Sequence, residues 1–197
     1  MQSVGGRGPY LLLYDLAPLA VYINKDLFKA ANIPDPTARL PEYWTFGEFQ
    51  RAAIALTTGG GERGPTYGLG SQLSLWIVDA IMRSHGGGLI SGDRSRSLID
   101  APESVGVLES LIELYIRYKV APDNASESSV QRLWEGGRIG MEIGTPDRAL
   151  RWRDRLRGFE WDVAPLPVAP RTRLKSNAAQ GSGLAMGAQT AHPDAAW

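Results

Sequence analysis

The sequence predicts an α/β fold, in which strands alternate with helices along the chain. Three observations carry that prediction. Apolar and β-branched runs of strand length recur at Leu19–Ile23, Arg138–Ile143 and Phe159–Ala164. Stretches with helical spacing separate them, such as Val105, Leu108, Leu111, Ile112, Tyr115 and Ile116. Thr45-Phe46-Gly47-Glu48 has the Ser/Thr-x-x-Glu pattern of a capping box, so a helix is expected from Thr45 to about Leu56.

In order, Leu19–Ile23 reads as a buried strand, and Asn24-Lys25-Asp26 turns the chain into one or two helical turns over Leu27–Ala31. Pro34, Pro36 and Pro41 mark an extended loop. After the capped helix, four glycines between Thr58 and Pro65 predict a flexible loop, and Tyr67–Gly70 a small strand. Ser71 or Gln72 is expected to open a helix through Trp76, Ile77, Ala80 and Ile81, closed by Gly86–Gly88. Ser97–Ile99 reads as a short strand. Pro102 and Glu103 sit at helix first-turn positions, where a missing N–H costs nothing and a carboxylate suits the dipole. Helices over Ser128–Glu135 and Pro146–Leu156 and a strand at Ser182–Met186 complete the pattern. The chain starts beside a strand and stops at a helix start, His192 to Trp197, which predicts a piece of a longer protein.

Composition narrows the function classes. The 197 residues carry 21 Lys plus Arg against 21 Asp plus Glu, so the surplus of cations that general nucleic-acid binding needs is lacking. With no cysteine, disulfides, thiolate zinc sites and cysteine nucleophiles are ruled out. Leu11–Leu13 is too short an apolar run for a signal-peptide core or a membrane span, so no export signal is read in this chain. His85 and His192 have no second metal ligand nearby in sequence, and H-E-x-x-H, P-loop and G-x-S-x-G patterns are missing. The expectation is therefore a protein that is not an enzyme and needs no cofactor.

Six segments, in order, carry a family resemblance. They are Val21-Tyr22-Ile23-Asn24-Lys25-Asp26-Leu27-Phe28, Trp44–Phe49, and Tyr67-Gly68-Leu69-Gly70 with the Gly86-Gly87 pair. Then come Leu133–Met141, Asp162–Pro167 and Gly181–Met186. Together they resemble the family 1 extracellular solute-binding proteins, the maltose-binding-protein type. The resemblance implies a periplasmic-binding-protein-like type II fold, with two lobes that close on a ligand. On that mapping, residues 1–18 end the first lobe and make the first hinge crossing. Residues 19–164 form the second lobe, and 165–197 make the return crossing and part of the first lobe. The implied function is capture of a carbohydrate, oligosaccharide or sugar phosphate for the permease subunits of an ABC transporter. The implied location of the intact parent is the periplasm or a cell-surface lipoprotein.

Sugar sites pair aromatic faces with planar polar groups that hydrogen-bond hydroxyls. On the resemblance, Ser71, Gln72 and Trp76 lie on the cleft side of the second lobe. A helix cap for Ser71 and a core position for Trp76 are the alternatives. Gly144, Thr145 and Asp147 follow a strand and open a helix, where backbone N–H groups are free to meet a polar ligand. Relatives often carry a stacking aromatic in this loop, whereas Asp147 and Arg148 stand here. Asp147 can accept from hydroxyls or serve as a first-turn carboxylate. Ser182 would face the ligand from the first lobe, or simply sit in a turn. Arg148, Arg151, Arg153, Arg155 and Arg157 read as a solvated run, with an anion site as the lesser reading. Two other function classes remain open. One is a carbohydrate-active hydrolase fragment, since two distant carboxylates can meet in space. The other is a degenerate lobe without ligand binding.

Overall fold

The computed structural model describes residues 2–4, 7–61, 64–70, 73–123, 126–187 and 189–196. In chain order the strands are β1 (Gln2–Val4), β2 (Arg7–Leu13), β3 (Ala17–Pro18), β4 (Ala20–Asn24), β5 (Thr58–Gly61), β6 (Gly64–Leu69), β7 (Ile139–Gly144), β8 (Trp161–Ala164), β9 (Ala179–Gln180) and β10 (Gly183–Leu184). The helices are α1 (Lys25–Ala30), α2 (Phe46–Ala55), α3 (Leu75–Ser84), α4 (Pro102–Ile112), α5 (Glu127–Glu135), α6 (Asp147–Arg153) and α7 (Pro193–Ala196). The chain divides into a small unit, Met1–Pro18 with Ala179–Trp197, and a large unit, Leu19–Ala178.

The large unit is built on a five-stranded sheet of order β5-β6-β7-β4-β8. Strand β4 lies between β7 and β8 and is antiparallel to both, while β6 and β7 are parallel. The three apolar runs expected to be strands therefore share one sheet. Alternation along β4 sends Val21 and Ile23 to the main core and Tyr22 to the opposite face. Phe28 from α1, Phe46 and Phe49 from α2, Ile81 from α3 and Leu111 from α4 fill the main core. Trp134 from α5 and Trp152 from α6 cover the other face, with Tyr22 and Ile139. The sheet is thus buried on both sides, and every residue of β7 is buried.

Helix α2 begins as its sequence predicts. The Thr45 hydroxyl accepts from the Glu48 amide at 3.3 Å, and the Glu48 carboxylate accepts from the Thr45 amide at 2.6 Å. Two amides with no intrahelical partner are thereby satisfied. Thr45→Ala is expected to cost about 1 kcal/mol. Urea unfolding should show a lower midpoint at unchanged slope.

Three expectations are corrected. Thr58–Gly61, Gly64 and Pro65 are strand rather than flexible loop, and Glu62 and Arg63 lie outside the described residues. Strands β5 and β6 pair antiparallel with Thr58 opposite Thr66, and Gly60 and Gly64 adopt positive φ of 117° and 81°. The glycines there supply a turn conformation that side chains resist. Ser97–Ile99 forms no strand, only a single bridge from Ser97 to Ile90. The third helix starts at Leu75 with Ser74 at its N-cap position, not at Ser71 or Gln72, and those two residues lie outside the described ones. Beyond Ile112 the fourth helix widens into a π turn over Glu113–Arg117.

The small unit holds two short sheets. In one, β2 pairs with β1 and β10, and in the other β3 pairs with β9. Strand β10 is shorter than the Ser182–Met186 expected.

Candidate functional site

The sheet's pairing defines one edge of the large unit. Val21 lies opposite both Ile143 and Ala164, and Leu69 pairs in parallel with Met141. Strands β6, β7 and β8 therefore run the same way, and their carboxyl ends lie at the edge where β4 begins. Open α/β sheets place ligands at such carboxyl ends, where loops diverge and backbone groups are not used in the ladder. The segments leaving this edge begin at Gly70, Thr145 and Pro165. Asn177 fastens the chain beside it. Its side chain accepts from the Leu19 amide at 2.9 Å and donates to the Leu19 carbonyl at 2.8 Å, as a strand neighbour would.

Of the residues predicted for the site, Gly144, Thr145 and Asp147 meet at this edge. Gly144 ends β7 and is buried, and its amide neighbour Thr145 donates its hydroxyl to the Asp147 carboxylate. The Thr145 carbonyl accepts from the Tyr22 hydroxyl at 2.8 Å, which pins the loop to the central strand. Asp147 also accepts from Arg151 one helical turn on, at 2.7 Å. Burial works against the Asp147 charge, but the Thr145 hydroxyl and the Arg151 and Arg148 cations outweigh it and hold its carboxyl below the usual range.

Gly70 extends β6 to the same edge, its amide donating to the Met141 carbonyl at 3.0 Å. Ser71 and Gln72, the next two residues, lie outside the described ones. Trp76 stands in the first turn of α3, half-buried and packed against the main core. Ser182 belongs to the small unit, where it is exposed. Its amide donates to the Asp15 carboxylate and its carbonyl accepts from the Tyr14 amide at 3.1 Å.

Sequence reasoning missed a charged residue in the sheet. Glu142 of β7 has only 2% of its side chain exposed and accepts from Arg148 Nη1 at 3.0 Å. A side chain on Gly70 would overlap the Glu142 carboxylate, and one on Gly144 would overlap the stem of Arg148. The ion pair thus spans the two loops, Glu142 against one glycine and Arg148 against the other. The Arg148 guanidinium also lies 5.9 Å from the Trp152 ring centre. Tyr115, carried by the π turn, is near enough that the Glu142 charge adds to burial in pushing its phenol far up. The signal in the sequence was a single acid inside the apolar run Ile139-Gly140-Met141-Glu142-Ile143. Among the described residues no group of His, Cys, Asp or Glu is arranged to hold a metal ion.

Comparison with known proteins agrees with this architecture. Residues 3–197 match the family model described as bacterial extracellular solute-binding protein. A binding protein of Brucella abortus strain 2308 is 29% identical over 157 residues, covering 77% of this chain and 36% of that one. The solved structure of an ABC substrate-binding protein of Listeria monocytogenes, in complex with cycloalternan, has a TM-score of 0.80 at 22% identity, covering 98% of this chain and 47% of the other. UgpB from Mycobacterium tuberculosis, in complex with glycerophosphocholine, has a TM-score of 0.78 at 18% identity, covering 98% of this chain and 46% of its own. The chain spans about a third of the Brucella protein and about half of the two solved chains. These likenesses show the periplasmic-binding-protein type II fold, and with the family match over nearly every residue they give the assignment: the chain belongs to the bacterial extracellular solute-binding proteins.

Proposed function

We propose that this protein captures a carbohydrate for an ABC importer, and that the edge formed by Gly70, Gly144, Thr145 and Asp147 supplies ligand contacts from the large unit. The observation that carries the reading is the convergence of those loops at the carboxyl ends of β6 and β7, in a chain of this family. Backbone groups beyond strand ends, the Asp147 carboxylate and the Ser71 and Gln72 side chains are suited to hydroxyl groups. Ser182, in the small unit, carries a hydroxyl of the same hydrogen-bonding kind. The passages of the chain between units, at Pro18–Leu19 and Ala178–Ala179, are then the hinge crossings, with residues 165–178 leading into the second. Permease subunits are the partner that would receive the ligand. The periplasm or cell surface is the place of action. Among the described residues no helix is long and apolar enough to cross a membrane.

Titration of the 15N-labelled chain with maltotriose and monosaccharides at millimolar concentration tests this. Amide signals of Gly70–Leu73 and Gly144–Arg148 are expected to shift, with the sugar recovered chemically unchanged. Shifts confined to other surfaces would refute the site. A reproducible hydrolysis product would favour a glycosidase.

A further inference from the structure

Arg148 and Arg151 are the cations that the helix after β7 brings to this edge, and each already has its own carboxylate. Arg148 meets Glu142 at 3.0 Å, and Arg151 meets Asp147 at 2.7 Å. We propose that the Glu142–Arg148 pair makes the edge selective for uncharged polyhydroxyl ligands and against phosphorylated ones, with Arg148 touching the ligand and Glu142 positioning and neutralising it. The proposal rests on the carbohydrate reading above and adds the charge class of the ligand.

The geometry supports both roles. A guanidinium has five N–H donors in a rigid fork, and one ion pair leaves others for hydroxyl oxygens. Arg148 keeps 20% of its side chain exposed, whereas its partner Glu142 keeps 2%. The Arg148 stem is seated against Gly144, where no Cβ intervenes, and its head lies over Trp152. It is therefore held in place before a ligand arrives, which reduces the ordering cost of binding. A phosphate monoester would bring negative charge up to Glu142 and Asp147 without finding an unmatched cation in either pair. Like charges in a partly desolvated place discriminate strongly against the wrong ligand. A neutral sugar meets donors and acceptors in balance.

The test compares D-glucose and maltotriose with glucose 6-phosphate, by NMR titration of the whole chain. The wild type is expected to bind the neutral sugars about tenfold or more tightly than the phosphate. Glu142→Gln removes the carboxylate paired with Arg148, leaving only the more distant influence of Asp147, and should move the ratio of affinities toward the phosphate by about tenfold. A role in folding alone would weaken all ligands together and leave that ratio in place. Because a single Arg148 replacement can unfold the unit, the second variant is Glu142→Gln with Arg148→Gln, which has no buried charge to strand. It should fold, bind neutral sugar about tenfold more weakly and show no gain for the phosphate. A wild type that prefers glucose 6-phosphate, or a Glu142→Gln ratio equal to the wild type's, overturns the charge selection while the carbohydrate site stands. Absence of shifts at Gly70–Leu73 and Gly144–Arg148 with every ligand overturns the carbohydrate site and this proposal with it.

Discussion

Arg148→Ala is expected to destabilise the large unit by about 3 kcal/mol, among the largest single effects in the chain. The variant leaves Glu142, almost wholly buried on a central strand, without the cation 3.0 Å away. Removing one member of a buried pair costs roughly 3–5 kcal/mol, because a charge is then left in a place that solvates it poorly. The lower end applies here, since Arg148 is itself part-exposed and water can enter the space it leaves. The lost packing of its stem on Gly144 and its head on Trp152 adds to the effect. Urea unfolding followed by tryptophan fluorescence measures it. The double variant Glu142→Gln with Arg148→Ala should recover much of the loss. If the single variant unfolds within about 0.5 kcal/mol of the wild type, the range of ordinary surface changes, the pair carries no structural role.

Trp134→Ala is expected to cost about 3–5 kcal/mol. Trp134 is fully buried in α5, stacked on Trp152 with ring centres 4.8 Å apart and edge-on to Phe159 at 5.4 Å. The cluster on that face of the sheet is small, so few side chains are available to move into the space left. Against a total stability of roughly 5–15 kcal/mol for a domain, such a loss leaves a chain close to unfolding at ambient temperature. Calorimetry should show a marked drop in the transition temperature, and near-ultraviolet dichroism a loss of ordered aromatic signal. A cost below about 1 kcal/mol would mean that Trp152 and Phe159 close over the space.

The fold was largely legible because its signals are local. The stripe read from Val105 gave the helix but not its buried face, which is Ser104, Val107, Leu111 and Leu114, while Val105, Ile112 and Ile116 are exposed. The Thr45–Glu48 box and the β-branched run at Leu19–Ile23 each depend on a few adjacent residues. Their sequence signature is the same whatever packs against them. Thr58–Gly61 was misread because glycine marks both a loop and a tight hairpin, and only pairing with Thr66 distinguishes them. The site was less legible. Thr145 and Asp147 could be found from their place after a strand, but the pair of Glu142 with Arg148 needs the buried face of β7 and the missing Cβ of Gly144 at once. Asn177 likewise shows its role only when Leu19 lies beside it. Such partnerships are set by the folded path, and no spacing in the sequence encodes them.

The strand order also governs the timing of assembly. Strand β4 is the first strand of the large unit to leave the ribosome, yet its neighbours β7 and β8 lie more than half the chain length further on. Closing so long a stretch of chain carries an entropic cost before any pairing can return it, which slows folding relative to locally wired proteins. The helix α2 and the β5–β6 hairpin can form early, but they have no sheet to join until β7 arrives. Until Gly144 has been synthesised, Val21 and Ile23 have no ladder on either side, and the second one waits for Ala164. A polypeptide wired in this way cannot shelter β4 on both sides until residues far along the chain have emerged.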